Sequence, residues 1–267
     1  MSDSAASSQV DAAKAYEALF VPALFAPWAP RLAEAARLGP GQRVLDVACG
    51  TGVLAREALA RTAPGGSVAG LDPNAGMLAV ARALAPAVDW RQGVAESLPF
   101  PDGGYDAVVS QFGLMFFDDR AQALREMLRV LRPGGRLVVA VWDALEDHPA
   151  YAALVDLLER VAGPTAAEAL RAPFALGRRE VLVALFRAVG AGRADIVAHV
   201  GRAHFPSLRT MVEAELRGWL PVRGLVLPEA QIEQVLWEAE HALRVHVAPD
   251  GRAVFETRAQ LVMVTRG

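Results

Sequence analysis

From Arg43 to Trp142 the chain alternates short apolar runs, each bounded by glycine or proline, with amphipathic stretches. Strands joined by helices bury both kinds of segment at once, so the alternation predicts an α/β domain with a parallel sheet. Strands are read at 43–48, 67–71, 88–92, 105–111 and 135–142, helices at about 53–62, 74–85 and 119–131, and the 93–104 connection is irregular. In the last helix Leu124, Met127, Leu128 and Leu131 fall at i, i+3, i+4 and i+7. Asp118 or Asp119 is available to cap it, and Arg132-Pro133-Gly134-Gly135 ends it.

After Trp142 the texture changes. Residues 145–172 read as helical, with Leu154, Leu157, Leu158 and Val161 on one face, 178–189 as another helix, and 193–205 as a strand. Residues 206–248 are again helical, with Ile232, Val235, Leu236, Ala239 and Leu243 in a stripe, and Pro249-Asp250-Gly251 turns the chain into a final strand at 252–265. The expected organisation is an N-terminal helical segment over 1–40 and one α/β domain over 41–267, interrupted by helical cap insertions at 145–172 and 206–248.

Composition excludes several classes of protein. With 53% apolar and 21% charged residues in a chain of 267, there is ample core and too little net charge to prevent collapse. Of the 27 basic residues only Lys14 is a lysine; the arginines are scattered and offset by carboxylates to a net charge of -3. No basic stripe suited to nucleic acid is visible. Cys49 has no second cysteine to pair with, and the reducing cytoplasm is its natural compartment. Met1 to Ala15 lacks the positive head and apolar body of an export signal, and Val21 to Trp28 is broken by Pro22 and Pro27, so no membrane span is expected. His199 with His204 and His241 with His246 are each five apart, a spacing that does not stack ligands on a helix face, and no metal is expected.

The most informative stretch is Val44-Leu45-Asp46-Val47-Ala48-Cys49-Gly50-Thr51-Gly52-Val53-Leu54-Ala55, a strand running through a small-residue turn into a helix. Gly50 and Gly52 lack the Cβ atoms that would hold a ligand off the backbone, and the helix N-terminus behind them presents unpaired N–H groups. Gly70-Leu71-Asp72 then places a carboxylate at the end of the next strand, where it can accept both hydroxyls of a ribose. Gly50-x-Gly52-x-x-Ala55 with Asp72 also satisfies the dinucleotide fingerprint of a nicotinamide-dependent oxidoreductase. Two features oppose that alternative. Asp46 lies inside a strand that would ordinarily be apolar throughout, and its buried carboxylate needs a partner, which a ligand ammonium or sulfonium or the loop's own N–H groups would supply and a pyrophosphate would not. The common short-chain dehydrogenase chemistry also needs a Tyr and Lys side by side, and the single lysine precedes the first strand.

Val44 to Gly52, Gly70-Leu71-Asp72, Glu96-Ser97-Leu98-Pro99-Phe100, Tyr105-Asp106-Ala107-Val108 and Leu131-Arg132-Pro133-Gly134-Gly135 together resemble the class I S-adenosylmethionine-dependent methyltransferases. They resemble in particular the branch that includes the ubiquinone/menaquinone-biosynthesis C-methyltransferases. The likeness covers about 40 to 142 and is weak beyond 145. It implies a Rossmann-like seven-stranded sheet of order 3-2-1-4-5-7-6 with the last strand antiparallel, and S-adenosyl-L-methionine as cofactor, with S-adenosyl-L-homocysteine as its product. The backbone of Ala48, Cys49, Gly50 and Gly52, helped by Asp46 and Gln111 and flanked by Phe112, would hold the methionine moiety. Asp72 would hold the ribose, Pro73 and Met77 would pack on the adenine, and Val94, Ala95 and Glu96 would line its polar edge. Ala48 stands where the family often has its first glycine. Val94 stands where many relatives carry an Asp that accepts from the adenine amine, a loss of about 0.5–1.5 kcal/mol in cofactor binding.

Methyl transfer from a sulfonium is an in-line displacement with an activated leaving group, so a fixed catalytic residue is not required and none is assigned. The acceptor pocket should lie beyond the C-terminal ends of the strands, near Gln111 to Phe117 and Trp142 to His148. Phe112, Met115, Phe116 and Phe117 suggest an apolar, lidded chamber for a small hydrophobic or aromatic molecule. Tyr16, Phe20 and Trp28 would close it from the other side, and His148 is the first candidate for a proton acceptor. The expected protein is a cytoplasmic monomer or homodimer that methylates oxygen or carbon of such a molecule. A non-catalytic, cofactor-binding methyltransferase-like protein is the third reading.

Overall fold

The computed structural model describes residues 2–267, with side chains described from Gln9 onward. Helix α1 (Ser2–Phe20) leads into a π-helical turn (Val21–Phe25), a 3-10 turn (Ala26–Trp28) and α2 (Ala29–Ala35). Pro22 and Pro27 sit at the second position of these two turns, where a missing N–H costs little and the helical register changes. The alternating segment then follows as β1 (Arg43–Val47), α3 (Val53–Thr62), β2 (Ser67–Asp72), α4 (Ala75–Leu84), β3 (Asp89–Gln92), β4 (Tyr105–Gln111), α5 (Arg120–Val130) and β5 (Leu131–Trp142). Asp119 caps α5 by accepting the Gln122 N–H at 2.9 Å, and Asn74 caps α4 from Met77 at 3.1 Å.

One expected boundary differs. Leu131 belongs to the apolar stripe of α5 in the sequence, but it opens β5 and pairs with Tyr105. The strand thus begins four residues earlier than the reading at 135, because Arg132-Pro133-Gly134-Gly135 passes straight into extended backbone; a shift of register follows between Tyr105 and Ala107.

Beyond β5 come α6 (Pro149–Ala162), α7 (Pro164–Arg171), α8 (Arg179–Ala188), β6 (Ala194–Phe205), α9 (Leu208–Glu213), a second π-helical turn (Ala214–Trp219), α10 (Leu220–Val222), α11 (Glu229–Ala242) and β7 (Ala253–Thr265). The seven strands form one sheet in the order β3-β2-β1-β4-β5-β7-β6. The first five pair in parallel, while β7 runs antiparallel between β5 and β6. Leu154, Leu157 and Leu158 of α6 and Ile232, Val235, Leu236 and Ala239 of α11 are buried, as their helical spacing requires. These helices pack on one another, and α1 packs on both α4 and the second π turn, so the sheet's C-terminal edge is roofed. Among the described residues no helix is long and apolar enough to cross a membrane.

Candidate functional site

Strands β1 and β4 are neighbours at the point where the strand order reverses, the place where open α/β sheets bind ligands. Each is followed by a residue in the left-handed region: Ala48 at φ 57° and Phe112 at φ 58°. Such a conformation costs a non-glycine residue about 1–2 kcal/mol and persists only where the surroundings hold it. Here the Phe112 ring stacks on Trp142 at 3.7 Å and 6°, and its N–H bonds to the Ala140 carbonyl at 3.0 Å. The two strand ends also touch, since a Cβ on Gly113 would lie 2.6 Å from that of Ala48.

The two glycines of the first turn have different tasks. Gly50, at φ 55°, faces open space and lines the cavities described below. Gly52, at φ 87°, lines neither; a Cβ there would stand 2.4 Å from the Trp90 indole. Gly70 would meet the same ring at 2.4 Å, so Trp90, on β3, fills the space beneath the turn. The expectation that Gly52 admits a ligand is corrected accordingly: it admits a tryptophan from behind. Sequence reading passed over Trp90, for which the glycines opposite it were the available signal.

Behind Gly50 is a small cavity of about 30 Å³, lined among others by Asp46, Ala48, Cys49, Thr51 and Gln111. Both carboxylate oxygens of Asp46, the Thr51 hydroxyl and the Gln111 Oε1 are buried without a hydrogen-bond partner. Burial pushes the Asp46 carboxyl well above the usual carboxylate range, opposed by the nearby Ala55 amide at the start of α3. A cluster of unsatisfied acceptors in one pocket suits a donor-rich cation such as an ammonium, and opposes a phosphate. The Cys49 thiol is buried and its pKa raised, chiefly by desolvation, which leaves it a small turn residue rather than a nucleophile.

Asp72 bounds the adjoining large cavity of about 360 Å³. Its Oδ2 accepts the Gly50 N–H at 2.8 Å and its Oδ1 the Asn74 N–H at 2.9 Å, which fixes the carboxylate against the turn. Each oxygen retains a lone pair for a ligand hydroxyl. Burial raises its pKa, and the two amides partly offset that. Pro73, Asn74 and Met77 continue the wall, and Gln111, whose Nε2 donates to the Phe25 carbonyl at 3.1 Å, leads across to Phe112.

The same cavity runs on beneath the cap, where Phe116, Trp142, Phe174 and Trp219 give it aromatic walls. Its polar feature there is Glu215, in the second π turn, 3% exposed and accepting the Tyr151 hydroxyl on Oε1 at 3.0 Å. Burial pushes the Glu215 carboxyl up to about 8. Tyr16 also lines this cavity, and its hydroxyl pKa is raised by burial and by the carboxylates of Asp72, Glu17 and Glu215. Glu215, Tyr151 and Asn74 were not singled out from the sequence.

Of the residues expected at the site, Asp72, Pro73, Met77, Ala48, Gly50, Gln111, Phe112, Tyr16, Phe20 and His148 line the large cavity, while Asp46 and Cys49 line the small one. Trp28 and Met115 line neither. Trp28 is 1% exposed, with its indole edge-on to Phe112 and Trp142 behind the wall; Met115 is buried within a 3-10 turn whose neighbour Phe116 reaches the cavity instead. Val94, Ala95 and Glu96 also lie outside it. Val94 is exposed, Ala95 is buried in the core, and the Glu96 carboxylate accepts the Asp118 and Asp119 N–H groups at 3.0 and 3.3 Å, capping the turn into α5.

His148 is placed in the wall but is not a free base. Nε2 lies 3.0 Å from both the N–H and the carbonyl of Arg258, and Nδ1 3.0 Å from the Ala144 carbonyl; accepting the Arg258 N–H on Nε2 puts the ring proton on Nδ1. The nearby Arg258 carbonyl takes the Asp143 N–H. Burial lowers the His148 pKa, and the ring pins the start of α6 to β7.

Residues 45–139 match the family described as methyltransferase domain. Among curated proteins, a demethylmenaquinone methyltransferase of Renibacterium salmoninarum is 44% identical over 124 residues, covering 46% of this chain and 49% of that protein. A ubiquinone/menaquinone biosynthesis C-methyltransferase, UbiE, of Ectopseudomonas mendocina is 44% identical over 118 residues, 42% of this chain and 46% of the relative. The chain thus spans about half the length of these relatives. The solved structure of the YcgJ protein of Bacillus subtilis superposes with a TM-score of 0.59 at 20% identity, over 89% of this chain and 97% of that one, which is a likeness of fold.

Proposed function

From a chain whose residues 45–139 match the methyltransferase-domain family, we propose an S-adenosylmethionine-dependent methyltransferase that acts on oxygen or carbon of a small, largely apolar or aromatic molecule. The observation that carries this reading is the set of unpartnered acceptors around the small cavity: Asp46, Thr51 and Gln111 offer oxygens and no cation. An amino-acid ammonium satisfies them; a pyrophosphate does not. Asp46, with the backbone of Ala48 to Gly50, would hold the methionine tail, Asp72 the ribose, and Pro73 and Met77 the adenine. Bound there, the cofactor supplies a methyl group on a cationic sulfur, an already activated leaving group.

The chain's own contribution is alignment and exclusion of water. Holding the acceptor in line is worth up to about 7–11 kcal/mol of the barrier, and the aromatic walls beneath the cap are suited to gripping a flat apolar molecule. The curated relatives are named for methylation of menaquinone or ubiquinone precursors. A hydroxylated ring of that general kind would suit the chamber formed by Phe116, Trp142, Phe174 and Trp219.

Isothermal titration tests the cofactor: S-adenosylhomocysteine should bind in the micromolar range and NAD should not. Tight NAD binding with no response to S-adenosylhomocysteine would restore the oxidoreductase alternative. Mass spectrometry of a panel of phenols, quinols and carboxylic acids then tests the activity by a product about 14 Da heavier. Cofactor binding without a product from any acceptor would favour the non-catalytic reading.

A further inference from the structure

Among the groups lining the large cavity, Gln111 Oε1 and Thr257 Oγ1 are unpartnered but belong to side chains that are not acids or bases, and the ionisable groups are mostly committed. Asp72 holds two backbone amides, both His148 nitrogens bond to backbone, and the Arg223 guanidinium lies over Phe116 and Trp219 at the rim. Glu215 differs. Oε1 receives the Tyr151 hydroxyl, and Oε2 has no bond to any described residue. A buried carboxyl with a vacant oxygen is expensive to keep inside an aromatic chamber, and its geometry is set by a π turn, a distortion often found at functional sites.

We propose that Glu215, oriented by Tyr151, takes the proton from a hydroxyl of the methyl acceptor, which is therefore a phenol or enol. The inference rests on the methyltransferase reading above and deepens it. The acceptor's O–H bond breaks with its electron pair left on oxygen, and the proton goes to Glu215 Oε2. That oxygen, or a ring carbon conjugated with it, forms the bond to the methyl carbon as the methyl–sulfur bond breaks toward sulfur. In carbon methylation Glu215 returns its proton to the ring oxygen, and the methylated ring carbon gives its own proton to water, which restores the aromatic phenol.

The electrostatics agree. In the free protein burial holds Glu215 largely protonated near neutral pH, with a pKa of about 8. The groups facing it are Tyr151 from α6 and Tyr16 from α1, with Asp72 and His148 across the cavity and Arg223 at the rim. Glu213 and Arg217, its neighbours in the chain, are turned to partly exposed partners on their own helices and α11. A cationic cofactor in the same cavity favours the carboxylate, so the base is generated when methyl donor is present.

Two measurements test this. Tryptophan emission of the free protein, which includes Trp219 and Trp142 in the cavity wall, should titrate with a midpoint near pH 8. S-adenosylmethionine should lower the midpoint by about one unit, and S-adenosylhomocysteine, which lacks the sulfonium charge, should not. Glu215→Gln should abolish the transition and leave the affinity for S-adenosylhomocysteine within about twofold. Secondly, protein saturated with sinefungin, a donor analogue whose ammonium keeps the sulfonium's positive charge, should bind 4-nitrophenol about tenfold tighter than 4-nitroanisole, its methyl ether, and Glu215→Leu should remove that preference. Persistence of the transition in Glu215→Gln, or equal binding of the two probes by the wild type, overturns the proposal while the methyltransferase reading stands. Failure of the wild type to bind S-adenosylhomocysteine overturns both.

Discussion

The cavity has two ends built by different means. At the glycine-turn end, backbone does much of the work: Gly50 and Asn74 amides fix Asp72, and unpaired acceptors wait near Asp46. At the cap end the polar chemistry is one side-chain pair, Glu215 with Tyr151, brought together from residues 64 apart by helix packing. Backbone geometry follows from the sheet itself, whereas the pair beneath the cap depends on two particular side chains, so under the proposed function the first end suits the cofactor and the second a particular acceptor.

The sharpest contrast is in pH dependence. Glu215 has a folded-state value of about 8, above the 4.5 of an unperturbed glutamate. Its contribution to stability is therefore fully present below about pH 4.5 and lost as pH rises through about 8, by at most about 5 kcal/mol. Urea denaturation should show Glu215→Gln clearly more stable than wild type at pH 9, and the gap closing at pH 5. A gap that does not change with pH would place the carboxyl in contact with water.

Next in size is Gly52→Ala. The added methyl enters the Trp90 ring and sits on left-handed backbone, an expected loss of about 2–5 kcal/mol in folding stability. Gly50→Ala carries the backbone penalty alone, about 1–2 kcal/mol, since open space receives its Cβ. Equal losses for the two would erase the division of labour between the glycines.

Asp72→Ala should weaken S-adenosylhomocysteine binding by about 1.5–3 kcal/mol in calorimetry, with little effect on 4-nitrophenol. An unchanged affinity would put the ribose elsewhere. The smallest effect is expected from Val94→Asp, which should tighten S-adenosylhomocysteine binding by about 0.5–1.5 kcal/mol if the adenine edge extends to this exposed residue. No change would confine the adenine to the wall made by Pro73 and Met77.

What could be read from sequence follows the same division. β1, its turn and Asp72 announce themselves through local signals: a buried strand interrupted by one carboxylate, two glycines, and a second carboxylate at the next strand's end. The final strand was legible from Pro249-Asp250-Gly251 and the apolar run after it, whereas its pairing with β6, across the whole of 206–252, was not carried by that turn. Glu215 was not, since nothing nearby separates it from Glu213, two residues earlier and half-exposed; its role depends on meeting Tyr151 across the cap. His148 lines the cavity, but its bond to Arg258, 110 residues away, could not be anticipated. Trp28 and Met115 have the right composition for a chamber and lie one layer too deep, because spacing specifies a face and not a depth.

The contact between the ends of β1 and β4 ties the halves of the cavity together. Ala48 and Gly113 are too close to move independently, and Phe112, next in line, carries its stack with Trp142 into the acceptor chamber. Under the proposed function a ligand settling against Gly50 would stiffen the wall that the second ligand meets, and by thermodynamic reciprocity each would raise the affinity of the other by the same factor.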